Sequence, residues 1–216
     1  MNSLKFLHAA SDLNRVKLEA FRRLSTQELR DSLRPGLPGA LKARPDGTNG
    51  KGIMRRDLFW IPGNGPGRLA IALRPRGGDW LEDEARAWQR SGVDVVVSLL
   101  EPEEEAQLNL TGERDAAERS GIQFVSFPII DRGVPSSIEA TVSLLGDITN
   151  ALKNGKNVAV HCRQGIGRSG LIAAAVLMST GSTPDAAIDA VTTARGLTVP
   201  ETPEQIRWLQ ESMVQH

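Results

Sequence analysis

The pattern of apolar and polar positions changes character along the chain. From Leu4 to Leu33, apolar residues recur at helical spacing (Phe6, Leu13, Val16, Leu18, Phe21, Leu24, Leu29) with basic residues between them. Ser25 followed by Glu28 has the form of a capping box, so two helices are predicted there. Arg34 to Gly52 is rich in proline, glycine and charge and reads as a linker. Leu58 to Ile61 and Leu69 to Leu73 are short strand patterns separated by Pro62-Gly63-Asn64-Gly65-Pro66-Gly67, which predicts an opening hairpin. Trp80 to Arg90 is helical and stops at Ser91-Gly92. Asp94 to Leu100 is then a near-continuous Val/Leu run of the kind a buried parallel strand needs. Glu101-Pro102-Glu103-Glu104-Glu105 opens another helix, whose acidic first turn suits the dipole and points to capping rather than catalysis. The helical pattern continues through Glu113 to Arg119 and stops at Gly121. Gln123 to Ile129 is the next strand, Ser137 to Leu152 a long amphipathic helix, Asn157 to Val160 a β-branched strand, and Leu171 to Met178 an apolar helix. Thr183-Pro184-Asp185 starts a helix that ends at Gly196, and Glu201 to Gln215 forms the last one.

Strands that alternate with helices predict an α/β fold with a mostly parallel central sheet flanked by helices on both faces. Such sheets carry their sites at the carboxyl ends of the strands. Two regions are expected: residues 1–52, a basic helical appendage and linker, and residues 53–216, the folded domain. Charge separates them. The chain has 26 basic and 26 acidic residues, but 12 basic and 5 acidic ones fall between Met1 and Arg56, an excess of seven positive charges there and of seven negative charges in the remainder. The balanced total identifies no polyanionic partner, and no nucleic acid is expected to bind. The N-terminal segment reads first as a solvated helical appendage and second as a docking or membrane-surface element.

A single cysteine excludes an internal disulfide, and no apolar run approaches the ~20 residues of a membrane span. Lys5, His8, Asp12 and Asn14 interrupt any signal-peptide core. A reduced, cytoplasmic setting is the expectation. With three histidines and no His/Asp/Glu cluster at ligand spacing, no metal is expected.

The chemistry concentrates in Val158 to Gly170, a strand, a loop broken by Gly165 and Gly167, and a helix N-terminus. Glycines let the loop N–H groups converge on one point, and the following helix adds the positive end of its dipole, so the loop is an anion nest for phosphate or sulfate. Cys162 stands at its mouth. Groups that hold an oxyanion also stabilise a thiolate, and helix N-termini can lower a cysteine pKa into the range of about 3.5 to 7.5. Arg168, where the helix begins, has a planar fork able to hold two phosphoryl oxygens at once.

His161-Cys162-Arg163-Gln164-Gly165-Ile166-Gly167-Arg168-Ser169 matches the His-Cys-x5-Arg-Ser/Thr signature loop of the cysteine-dependent protein tyrosine phosphatases and resembles the dual-specificity branch most. The resemblance runs from about Asp57 to the C-terminus and leaves the first fifty residues without a counterpart. It implies that Cys162 is the nucleophile and that Arg163, Gln164, Gly165, Ile166, Gly167 and Arg168 bind the substrate phosphate. Ser169 would donate its hydroxyl to the departing sulfur. His161 would order the loop through hydrogen bonds. Gln205 falls where related phosphatases often carry a glutamine behind the loop.

A second motif, Phe127-Pro128-Ile129-Ile130-Asp131-Arg132-Gly133-Val134-Pro135, places Asp131 after a strand in a loop bounded by prolines, about thirty residues ahead of Cys162. Its pattern resembles the general-acid loop of the kinase-associated phosphatase group, which implies that Asp131 protonates the leaving oxygen. Arg132 either assists the phosphate or is solvated. Asp57, Asp79 and the Glu101 to Glu105 cluster are the fallback acids. The chain lacks the long tyrosine-recognition segment of the larger tyrosine-specific relatives, so a shallow pocket is expected.

The leading expectation is a phosphoprotein phosphatase, acting on phosphotyrosine and on phosphoserine or phosphothreonine through a cysteinyl-phosphate, without cofactor and as a monomer. One alternative keeps the chemistry on a phosphoinositide, an inositol phosphate or an RNA 5′-phosphate: Arg163 favours such ligands, whereas Ile166 opposes them because lipid-directed relatives tend to carry a base there. A sulfurtransferase ranks low, since its loop would not normally keep this spacing with a separate acid. A catalytically silent phosphoprotein-binding module is the reading from another class.

Overall fold

A computed structural model of the protein describes residues 58–63 and 65–212. The helices expected within residues 1–52, Asp57, and the end of the last predicted helix lie outside the described residues.

Five strands form one sheet in the order β1-β2-β5-β3-β4: β1 (Leu58–Trp60), β2 (Leu69–Ala72), β3 (Val95–Ser98), β4 (Gln123–Ser126) and β5 (Val158–His161). β1 pairs antiparallel with β2 as the predicted hairpin, and every other pairing is parallel. All residues of β2, β3 and β5 are buried, which explains their unbroken apolar character; the edge strand β4 is partly exposed and its pattern is mixed. β4 is shorter than the predicted Gln123 to Ile129. Beyond Ser126 the pairing survives only as single bonds from Phe127 N–H to Ser98 O and from Ile129 N–H to Leu99 O, and Pro128 fits between them because its missing N–H would face the open edge.

Seven α-helices accompany the sheet among the described residues: α1 (Leu81–Arg90), α2 (Pro102–Gln107), α3 (Glu113–Arg119), α4 (Ile138–Lys153), α5 (Gly167–Ser179), α6 (Pro184–Arg195) and α7 (Pro203–Ser212). None is long and apolar enough to cross a membrane. Ser137 caps α4 and Thr183 caps α6, each through a side-chain oxygen that accepts from a first-turn N–H, and Gly196 ends α6 in the left-handed region. The continuous helical pattern expected from Glu101 to Arg119 is in fact two helices, because Asn109 turns left-handed at φ 54° between α2 and α3. The last helix begins at Pro203, later than expected, where the Thr202 hydroxyl accepts from Gln205 N–H.

The strands' alternation divides the core. Ile71, Val97, Val160 and Cys162 pack with Leu144, Leu171, Ile172 and Leu209 of α4, α5 and α7; Ala72, Val96 and Ala159 pack with Trp88 and Ala117 of α1 and α3. Consecutive residues of β5 therefore face different layers. The carboxyl ends of β3, β4 and β5 lie side by side at one edge, and the loops that follow them carry the polar residues of the site.

Candidate active site

The loop after β5 runs from Cys162 into α5. Gly165 holds φ 65°, and a side chain there would meet Ala72 O at 2.9 Å; any other residue would be strained by both backbone and contact. Gly167 opens α5 under the Gln205 carboxamide, whose atoms lie 3.2 and 3.3 Å from where a Cβ would stand. Gln205 is fully buried. It donates to Gly133 O (2.9 Å) and accepts from the N–H groups of Glu201 (3.1 Å) and Thr202 (3.3 Å), so it sits behind the loop and joins it to the Asp131 segment.

Cys162 is 3% exposed, and its Sγ is 3.4 Å from Ser169 Oγ. Burial pushes the thiol pKa up. The Ser169 hydroxyl and the backbone N–H groups of Ser169, Gln164 and Ile166 outweigh it, and the net direction is down. The loop carbonyls turn outward and are held by Arg195, at the end of α6. Its Nε donates to Gly165 O (2.6 Å), its Nη2 donates to Gln164 O (3.2 Å), and its guanidinium lies 4.2 Å over the Phe59 ring.

Arg168 is 1% exposed, and both of its terminal nitrogens are engaged. Nη1 and Nη2 donate to the two Glu104 carboxylate oxygens at 2.5 and 2.9 Å, Nη1 also reaches Ile129 O (2.9 Å) and Leu99 O (3.3 Å), and Nη2 donates to Asp131 Oδ1 (2.9 Å). Burial lowers the Arg168 pKa and its anionic neighbours raise it, with a net upward direction. Glu104 is held below the usual carboxylate range: burial raises it, but the Arg168 contact, the Glu101 N–H and the Arg168 charge prevail. The expected fork at the cavity thus meets carboxylates, with Glu104 fixing its plane from behind and Asp131 contacting it from the front.

A cavity of about 120 Å³ opens above the loop, and Cys162, Arg168, Ile166 and Gly167 line it together with Asp131 and Arg132 from the loop after β4. Asp131 is placed at this mouth. Arg132, at φ 62°, pairs with Glu201 (3.1 Å) at the cavity mouth, where its side chain stays 64% exposed. Arg163 and Gln164 stand at the rim, with Arg163 3.8 Å from Glu104. His161 points to the opposite layer, where its Nε2 is 2.8 Å from Glu113 Oε1. A larger, mostly apolar cavity of about 210 Å³ lies at the other end of the sheet, between residues 61–69 and the ends of α4 and α5, remote from all these groups.

Three contributors escape the sequence reading. Glu104 reads there as a capping residue, and it does accept the capping role toward Glu101 N–H (3.1 Å), but its burial against Arg168 is a long-range contact without a local signal. The same holds for Glu113. Arg195 is marked only by standing before the helix-ending Gly196.

Residues 72–182 match the family model described as Tc-R-P, polymorphic toxin system, DSP-PTPase phosphatase. Human cyclin-dependent kinase inhibitor 3 is 34% identical over 99 residues, which cover 45% of this chain and 46% of that protein. The chain thus spans about half the length of that curated relative. Among solved structures, Tk-PTP in its active form is 30% identical with a TM-score of 0.63, covering 76% of this chain and all of that one. A kinase-associated phosphatase with its catalytic-site cysteine replaced by serine has a TM-score of 0.66 at 22% identity, over 74% of this chain and 96% of that one, and so shares the fold.

Proposed function

Because the chain belongs to the Tc-R-P family of dual-specificity-type (DSP-PTPase) phosphatases, we propose that it is a phosphoprotein phosphatase acting on phosphotyrosine and on phosphoserine or phosphothreonine. One observation carries the reading: the Cys162 sulfur lies in an amide-lined loop, 3.4 Å from Ser169 Oγ, and opens onto a cavity that Arg168 and Asp131 also line.

In this reading Cys162 Sγ attacks phosphorus as a thiolate. The loop N–H groups and Arg168 carry the charge of the equatorial oxygens, which is the main catalytic task in phosphoryl transfer. The P–O bond to the substrate breaks as Asp131 gives its proton to the leaving oxygen. Asp131 then takes a proton from water, whose oxygen attacks the cysteinyl-phosphate; sulfur leaves with a hydrogen bond from the Ser169 hydroxyl, and inorganic phosphate departs. Asp131 accepts from Arg168 Nη2, so a phosphoryl oxygen arriving at that nitrogen displaces it toward the leaving group. His161 and Gln205 support the loop from opposite sides, and Arg132, at the cavity mouth, assists the phosphate.

The test is turnover of an aryl phosphate without added metal, with inhibition by vanadate. Cys162→Ser should abolish turnover while leaving oxyanion binding measurable, because a hydroxyl does not ionise at neutral pH although the loop and Arg168 remain. Substantial residual kcat would sink the covalent route, and binding of phosphopeptides without any turnover would make the chain a silent module. A panel of phosphopeptides beside phosphoinositides and RNA 5′-phosphates sets the substrate class, with phosphopeptides expected to be preferred. The same reading takes residues 53–216 as the catalytic domain, a monomer in a reducing cytoplasmic setting, and residues 1–52 as an appendage. A chain beginning at Ile53 should then keep the kcat/KM of the full chain and elute at monomer size.

A further inference from the structure

The cavity at the signature loop is small. At about 120 Å³ it is well below the roughly 300–1,000 Å³ of pockets that enclose a whole small ligand, so it takes the phosphoryl group and leaves the rest of a substrate on its rim. What the rim carries therefore decides which substrates gain affinity beyond the phosphate.

Charge on the rim is not balanced. Three guanidiniums, of Arg132, Arg163 and Arg168, and two carboxylates, of Asp131 and Glu201, line the cavity. Arg168 is matched from behind by Glu104, at 2.5 and 2.9 Å. Arg163 comes only within 3.8 Å of that same Glu104, which Arg168 already holds, and its side chain is 43% exposed. Asp131 accepts from Arg168 and is the acid that the proposed reaction uses in its protonated form. Among the described residues, Arg132 and Arg163 are thus left against Glu201 alone, an excess of one positive charge.

The backbone singles out Arg132. Gly133 N–H closes a turn onto Ile130 O (2.9 Å), and Arg132 takes the second corner of that turn at φ 62°, a conformation that favours glycine or asparagine. The turn is anchored from behind, where Gly133 O accepts from the buried Gln205 carboxamide (2.9 Å). A long cation kept where its own backbone is strained, on a turn that is itself fixed, points to a use for the side chain. Its pair with Glu201 (3.1 Å) is open to water on both sides, and such a pair contributes little and exchanges readily. The other Glu201 oxygen lies 3.2 Å from where a Cβ on Gly167 would stand, so a phosphate dianion entering the loop repels this carboxylate and loosens its hold on Arg132.

We propose that Arg132, with Arg163, selects phosphopeptides that carry an acidic residue directly beside the phosphorylated one, the substrate's carboxylate replacing Glu201 on the Arg132 guanidinium. The proposal rests on the reading of the chain as a phosphoprotein phosphatase and names the class of peptide it acts on.

Phosphotyrosine peptides that differ only in Asp or Asn next to the phosphotyrosine, before it in one pair and after it in another, isolate the charge. In the better pair the Asp peptide should have a kcat/KM about fivefold higher at low salt, chiefly through KM, and the two should converge at about 1 M salt, where exposed pairs are screened. Arg132→Asn, which suits the left-handed backbone, should bring the ratio below about twofold. Arg132→Lys keeps the charge and should hold most of the ratio, and Glu201→Gln, which frees the guanidinium, should raise it. A residue that only shaped the acid turn would affect both peptides alike and leave the ratio where it was. A wild-type ratio below about twofold in both pairs, or one that Arg132→Asn leaves unchanged, overturns the proposal, as does a higher kcat/KM on a phosphoinositide than on the Asp peptide. Should no peptide be turned over, binding of the same peptides to the Cys162→Ser chain decides: an Asp peptide held about fivefold more tightly keeps the role of Arg132 while the proposed function falls, and equal affinities sink both. Turnover of both peptides at one rate leaves the proposed function standing and removes the role of Arg132.

Discussion

Arg168 and Asp131 share one hydrogen bond, and the contact makes the acid testable in two ways. Asp131→Asn removes the proton donor, so kcat on alkyl or peptide phosphates should fall by about a hundredfold or more, and much less on an aryl phosphate with an acidic phenol, which departs as the anion. The same change removes a carboxylate that competes for Arg168 Nη2, so vanadate should bind more tightly. Equal losses on both leaving groups with unchanged vanadate affinity would reduce Asp131 to a loop-shaping residue, and the acid would have to be sought at Asp57, Asp79 or the Glu101 to Glu105 cluster. The signature residues themselves were legible because their spacing is local: nine consecutive positions carry the cysteine, the glycines and the arginine. Glu113 was not, since its partner lies far along the chain on another element.

At the scale of elements, α2 is short and weak as a helix, yet it carries the carboxylate that fixes Arg168. Its capping box sets Glu104 by local rules, with the Glu101 side chain accepting from the first turn and Glu104 accepting from Glu101 N–H. Burial against the guanidinium then adds a contact that the helix alone could not specify. Glu104→Gln keeps the shape and removes the charge. It should destabilise the protein by roughly 3 kcal/mol, as breaking a buried pair does, and lower kcat/KM because the fork loses its plane. A urea midpoint that implies less than about 1 kcal/mol, the size of an exposed pair, would show that Asp131 and the carbonyls suffice.

Across the whole molecule, two buried ion pairs give stability opposite dependences on pH. Glu104 is held below its ordinary value of 4.5, so its contribution is complete above that pH and is lost as acid carries the solution through its lower folded value. His161 is held above 6.5, so its contribution is complete below that pH and is lost as the pH rises from there through its higher folded value. Thermal melts should therefore show the gap between wild type and Glu104→Gln closing at low pH and the gap between wild type and His161→Asn closing at high pH; gaps independent of pH would contradict both assignments. The sequence alone determined the order of strands and helices, the start of α6 at Thr183, the signature loop and the placement of Asp131 after a strand, because each depends on neighbours within a turn or on a periodicity within one element. The tertiary structure decided which carboxylates meet which cations. Glu104 with Arg168, Glu113 with His161 and Arg195 with the loop carbonyls are contacts between elements, and they come about only when the parallel strands bring their carboxyl ends to one edge and the alternation of β5 sends Cys162 and His161 to opposite layers.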